Sequence, residues 1–165
     1  MSGTRTHKGF SLIELLIVVT IIGIIASIAI PNLLASRRAA NEASAQSSLR
    51  TISSCEASYL ATDGAGSYGD LTALSAHVLT DAVLTAGNKS GYRFVATPLV
   101  TKPAQFWAWA VPQVTSGIAQ SGTRRYAIAE DGVLRGDASL TAPASHAAVI
   151  GSGSPPIGGM PPLRN

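Results

Sequence analysis

Cysteine occurs once in the 165 residues, at Cys55, so the chain can form no disulfide within itself and no cysteine-based metal site. On an amphipathic stretch this lone thiol reads as a small buried hydrophobe. Histidine is nearly as scarce: His7, His77 and His146 lie in unrelated segments, and no two have metal-ligand spacing. There is no phosphate-binding loop, no Gly-x-Ser-x-Gly and no Cys/His nucleophile pair. Charged residues make up only 13%, and the basic ones are scattered without interleaved aromatics, which excludes a nucleic-acid footprint. Aromatics at 5% argue against a chain of rings that conducts electrons. These absences leave neither an enzyme nor a bound cofactor to expect.

What remains is apolar. Mean hydropathy is +0.28, a balance that a small soluble domain seldom carries unless one stretch is buried in lipid or protein. Residues 10–30, FSLIELLIVVTIIGIIASIAI, supply it: 21 residues with one charge, Glu14. As a helix this run is about 31 Å long, enough for a hydrocarbon core of about 30 Å. Residues 1–9 before it are polar and basic and lack the h-region and small-residue cleavage site of an ordinary secretory signal. Arg5 and Lys8 there are balanced by Arg37 and Arg38 beyond the run, so charge alone does not orient it.

Past Pro31, residues 32–62 are rich in Ala and Ser. Leu34, Ala45, Leu49, Ile52 and Tyr59 fall near one helical stripe, and Gly64 follows. One long helix is predicted, apolar all round in its first half and amphipathic in its second. Pro31 lacks the N–H that would reach the Ser27 carbonyl, so a bend is expected there, and Gly23 weakens the same region.

Residues 63–90 read as a glycine-punctuated loop with one short helix. Three strand-like runs follow at 92–97, 106–111 and 125–129, and Asp131-Gly132 turns the last into Val133-Leu134-Arg135. About four antiparallel strands laid on the amphipathic half-helix make an α+β head over residues 63–137. Trp107 and Trp109, two apart on one strand face, are expected in the core between sheet and helix. Residues 138–165 shift to Ala, Ser, Gly and Pro and are expected to bury little and to be mobile.

The segment Lys8-Gly9-Phe10-Ser11-Leu12-Ile13-Glu14 resembles the processing site of type IV prepilins and of type II secretion pseudopilins. The likeness is close over residues 9–31, looser to Leu60, and only architectural beyond. It implies a long helix whose first half is a transmembrane segment and then the core of a filament. It further implies that prepilin peptidase cuts between Gly9 and Phe10 and that Phe10 is N-methylated. Loss of Arg5 and Lys8 with the leader would lower the side-chain charge from +3 to +1.

A carboxylate within an apolar helix costs up to roughly 2.5–3.5 kcal/mol near a bilayer centre and so marks a partner. No cation within the helix can serve Glu14. The resemblance supplies one, the terminal amine of Phe10 on a neighbouring subunit. Gly23 and Pro31 match the family positions between which the helix can lose regular hydrogen bonding in the filament. Major pseudopilins often bind calcium in a C-terminal loop, for which Glu130, Asp131 and Asp137 are weak candidates, but turn chemistry explains these residues better.

The reading is a structural subunit of a type IV pilus-like filament, a polymer of itself. It implies an assembly platform with its ATPase, a single-pass precursor in the bacterial inner membrane, and an extracellular pilus. The alternatives are a pseudopilin in a periplasmic pseudopilus and a bitopic membrane protein with a small binding domain that never polymerises.

Overall fold

A computed structural model describes residues 9–151 and 159–163. Residues 1–8, which hold most of the expected leader, and residues 152–158 and 164–165 lie outside the described residues. The chain forms two compact units, 1–36 and 37–165.

One helix, α1 (Leu12–Ala61), runs 50 residues through both units. Every large apolar side chain from Phe10 to Leu33 on it is exposed. Within the second unit the helix becomes one-sided. Ala45, Ser48, Leu49, Ile52 and Glu56 are buried at spacings of three or four residues, the period of a single helical face. Tyr59 packs against the same core, whereas Leu34, expected on this stripe, is only partly buried and joins neither core cluster.

Two short helices follow, α2 (Leu71–His77) and α3 (Ala82–Thr85), where one was expected. Each is opened by an aspartate. Asp70 accepts the Ala73 amide at 2.7 Å, and Asp81 accepts those of Val83 and Leu84 at 3.0 and 3.1 Å.

The sheet is an antiparallel meander of five strands in chain order: β1 (Asn88–Lys89), β2 (Tyr92–Leu99), β3 (Gln105–Pro112), β4 (Arg125–Ala129) and β5 (Arg135–Asp137). The α+β architecture matches the expectation. The added strand is β1, two residues long and too short for any periodicity to reveal. The last strand begins at Arg135 rather than Val133, because β4 and β5 pair only as far as Ala127 with Arg135 and leave 130–134 as a longer loop. Gly132 in that loop has φ +68°, as the Asp-Gly reading requires.

One sheet face packs on α1 through Tyr92, Phe94, Ala96, Phe106, Ala108, Ala110, Tyr126 and Ile128. Trp107 and Trp109 are on the other face, which corrects their expected place between sheet and helix. Residues alternate sides along a strand, and the even-numbered positions of β3 took the helix side. The Trp face is not bare. Val149, on the short helix α4 (His146–Ile150), and Met160 bury themselves against Trp107, Trp109, Val111, Ala127 and Ala129.

The C-terminal segment therefore covers a sheet face, against the expectation that it would bury little. Its backbone is tied as well. The Gly136 amide donates to Pro161 O at 3.1 Å, that of Leu163 to Leu134 O at 3.0 Å, and that of Met160 to Val149 O at 3.0 Å. Composition concealed this because two apolar side chains suffice once backbone hydrogen bonds hold them. Val149→Ala is expected to cost the head about 2 kcal/mol, from methyl groups lost in a fully buried site. Thermal unfolding followed by tryptophan emission, which reports on the rings Val149 covers, measures it.

Candidate functional site

Phe10 is 82% exposed and Gly9 beside it is open, with nothing near where a Cβ would be built, so this peptide bond is accessible. Ser11 precedes the first helical residue, and its amide donates to Glu14 Oε2 at 2.8 Å. Ser-x-x-Glu at a helix start is half of a capping box: the carboxylate three residues in satisfies a donor that the helix leaves unpaired and sits where the helix dipole favours negative charge. The Ser11-Leu12-Ile13-Glu14 pattern announces this in the sequence, and the reading above overlooked it. Glu14 thus has a local role in the single subunit, and no cation reaches it among the described residues.

Beyond Glu14 the helix carries its polar groups inward. Thr20 Oγ1 donates to Leu16 O at 2.7 Å and Ser27 Oγ to Ile24 O at 2.8 Å, so these hydroxyls present no unpaired donor to an apolar surround. A Cβ built on Gly23 would meet nothing within 4 Å, which leaves a small, open notch in the apolar surface. Pro31 lies inside the helical span, not at its end. Next to it, Asn32 Nδ2 donates to Ile28 O at 3.2 Å. An apolar surface of this extent, exposed on every side, requires lipid or other protein around it.

In the head, Glu42 is a functional side chain that the sequence reading missed. Its Oε1 accepts both the Thr123 amide and hydroxyl at 2.7 Å, and its Oε2 accepts Tyr126 Oη at 2.9 Å. Asn41 Nδ2 donates to Ser121 O at 2.9 Å and Arg38 Nη1 to Gln120 Oε1 at 3.1 Å. Three side chains within little more than one helical turn thus fasten the β3–β4 loop to the helix. Burial, then the hydrogen bond to Glu42 and its charge, pushes the Tyr126 hydroxyl up to about 12, and burial followed by the charge of Glu42 raises Tyr92. Tyr92 Oη donates to Arg124 O at 2.8 Å, directly above Gly122, where a Cβ would lie 1.9 Å from that oxygen. Nothing in the sequence distance between Glu42 and Thr123 signals the clamp.

The weak metal candidates are not brought together. Glu130 faces His146 Nε2 at 2.8 Å, Asp131 is held by Arg135, and Asp137 is bidentate with Arg125 at 2.8 and 2.7 Å. Each carboxylate is turned to its own partner. The Arg125 and Arg135 guanidinium groups hold Asp137 and Asp131 below the usual carboxylate range, against the upward push of burial. Among the described residues no group of three His, Cys, Asp or Glu could hold an ion.

The prokaryotic N-terminal methylation motif family matches residues 4–30. The type IV wide pilus major component of Thermus thermophilus is 63% identical over 38 residues, 23% of this chain and 29% of that protein. The type IV major pilin of Myxococcus xanthus is 42% identical over 53 residues, 32% of this chain and 24% of that protein. Residues 4–30 thus carry the prokaryotic N-terminal methylation motif, and over a short stretch the chain is similar to these two pilus components. The chain matches less than a third of the length of these relatives. No solved structure matches it. The pilin likeness thus belongs to the helix, and the head is described by its own residues alone.

Proposed function

We propose that this protein is the building block of a type IV pilus-like filament, held first as a single-pass membrane precursor and polymerised through residues 10–31. The observation that carries the reading is the apolar helix left exposed on all sides directly behind a Gly9-Phe10 processing motif. Such a surface is satisfied by lipid before assembly and by identical helices after it. Prepilin peptidase removes residues 1–9 and methylates Phe10, and an assembly platform with its ATPase lifts the subunit out of the membrane. Glu14 then meets the cationic Phe10 amine of a neighbour, and the helix between Gly23 and Pro31 gives up regular hydrogen bonds as subunits close on a common axis.

Mass spectrometry of the mature N-terminus tests the processing step. The expected product begins at N-methylated Phe10, and Gly9→Val leaves the precursor uncut in the membrane because a branched residue blocks the cut. Filaments whose subunits still begin at Met1 or Ser2 overturn the proposal.

A further inference from the structure

Glu56 is fully buried on the sheet-facing side of α1, and the assembly chemistry above does not use it. Its Oε2 accepts the Gly69 amide at 3.0 Å, while its Oε1 is buried without a hydrogen-bond partner. An oxygen left in that condition is tolerable in a neutral carboxyl and costly in a carboxylate.

The surroundings make the charged form worse. Asp70 faces Glu56 from the N-cap of α2 and Tyr68 from the loop; Cys55 adjoins it on its own helix, and Glu130 at the end of β4 acts on the same Tyr68. None of these groups is a cation. His77, on α2, is engaged with Asp63 at 3.3 Å, and its ring lies tilted against Tyr59 with centroids 5.6 Å apart.

The segment that Glu56 holds is the link from α1 to α2. It is tightly seated: a Cβ on Gly69 would lie 3.1 Å from Tyr59 and from Ala73, and one on Gly64 would lie 2.2 Å from Ser67 O. It also carries two left-handed residues in succession, Ala65 at φ +47° and Gly66 at φ +84°, the first an unfavourable conformation for a residue with a Cβ. Outward from the latch, residues 65–68 form one wall of a cleft of about 450 Å³ whose other wall is the β2–β3 turn, from Pro98 to Lys102 and Ala104.

We propose that Glu56 is a proton-operated latch: its neutral carboxyl holds the α1–α2 loop on the helix, and its ionisation releases that loop and with it one wall of the cleft. Burial first, then Asp70, raises this carboxyl from 4.5 to about 7, against the lowering effect of the Gly69 hydrogen bond. Because the docked loop binds the proton more tightly than the open one, docking is strongest at acid pH. It weakens as pH rises from the ordinary carboxylate value through about 7. With those two values the docked-to-open ratio falls roughly 30-fold between pH 5.5 and 8.5. The head would thus present one surface at 65–68 in acidic surroundings and a looser one in alkaline surroundings.

The test uses the full chain in detergent micelles, with the amide resonances of residues 64–70 followed by NMR from pH 5 to 9. The Gly69 amide is expected to titrate with a midpoint near 7. Its exchange protection, corrected for the intrinsic pH dependence, should fall on the order of tenfold or more over that range. E56Q keeps the acceptor without the charge and is expected to hold the low-pH resonance positions throughout. H77Q removes the imidazole of this region and is expected to leave the transition in place. A Gly69 amide that stays unchanged in the wild type overturns the latch. So does a transition that survives in E56Q or disappears in H77Q.

Discussion

In Glu14→Ala, processed subunit in the membrane should stay within about twofold of normal while sheared filament falls a hundredfold or more. Removing a carboxylate from an apolar helix favours insertion, because the transfer cost of the charge disappears. In the proposed polymer the same change would leave the neighbour's terminal amine unpaired in an apolar core, a loss of about 3–5 kcal/mol per contact. The capping hydrogen bond to Ser11 is lost too, but a cap contributes only about 1 kcal/mol and a helix of 50 residues absorbs it. Glu14→Asp keeps the charge with a shorter reach and should restore part of the filament yield. Fractionation into membrane and sheared material reads both quantities. Normal filaments from Glu14→Ala would end the intersubunit ion pair and the assembly mechanism built on it.

Ile52→Asp should unfold the head and leave the membrane helix intact. Ile52 is fully buried where α1 meets the sheet. The variant forfeits about 1.5–3 kcal/mol of apolar burial and adds a carboxylate without a partner. Against a typical domain stability of about 5–15 kcal/mol, the melting temperature should drop by more than roughly 10 °C. Near-ultraviolet circular dichroism of the full chain in micelles follows the loss of fixed aromatic packing. A companion chain beginning at Asn32 should melt like the full-length head, since residues 37–165 form a compact unit. An unchanged melt in Ile52→Asp would mean that the helix face is misassigned.

The parts of the fold that were legible in the sequence are those with long periodicity or strong local chemistry. The 21-residue apolar run, the stripe at Ala45, Leu49 and Ile52, and the three longer strands each repeat their signal several times. Strand β1 and helix α3 repeat nothing, although the Asp81 cap could have announced the helix. The side taken by Trp107 and Trp109 was beyond reach for a different reason. A β-strand with apolar residues on both faces, as in Phe106-Trp107-Ala108-Trp109, has no alternation to say which face meets the helix. Of the site, Gly9, Phe10 and Glu14 stand in a contiguous motif, whereas the Glu42 clamp joins residues 81 apart and the Glu56 carboxyl reaches a glycine amide. A lone acidic residue within a helix advertises neither.

The order in which the head's contacts lie along the chain sets a timetable for its maturation. Neighbouring strands are neighbours in sequence, so the meander can zip as it emerges. The helix face is completed when Tyr126 arrives to meet Glu42, 84 residues behind it, and the tryptophan face when Val149 and Met160 follow. Until Val149 and Met160 dock, Trp107 and Trp109 lack the cover that the C-terminal segment gives them. Proteases that act on exposed apolar surface would therefore distinguish heads in which this segment has docked from heads in which it has not.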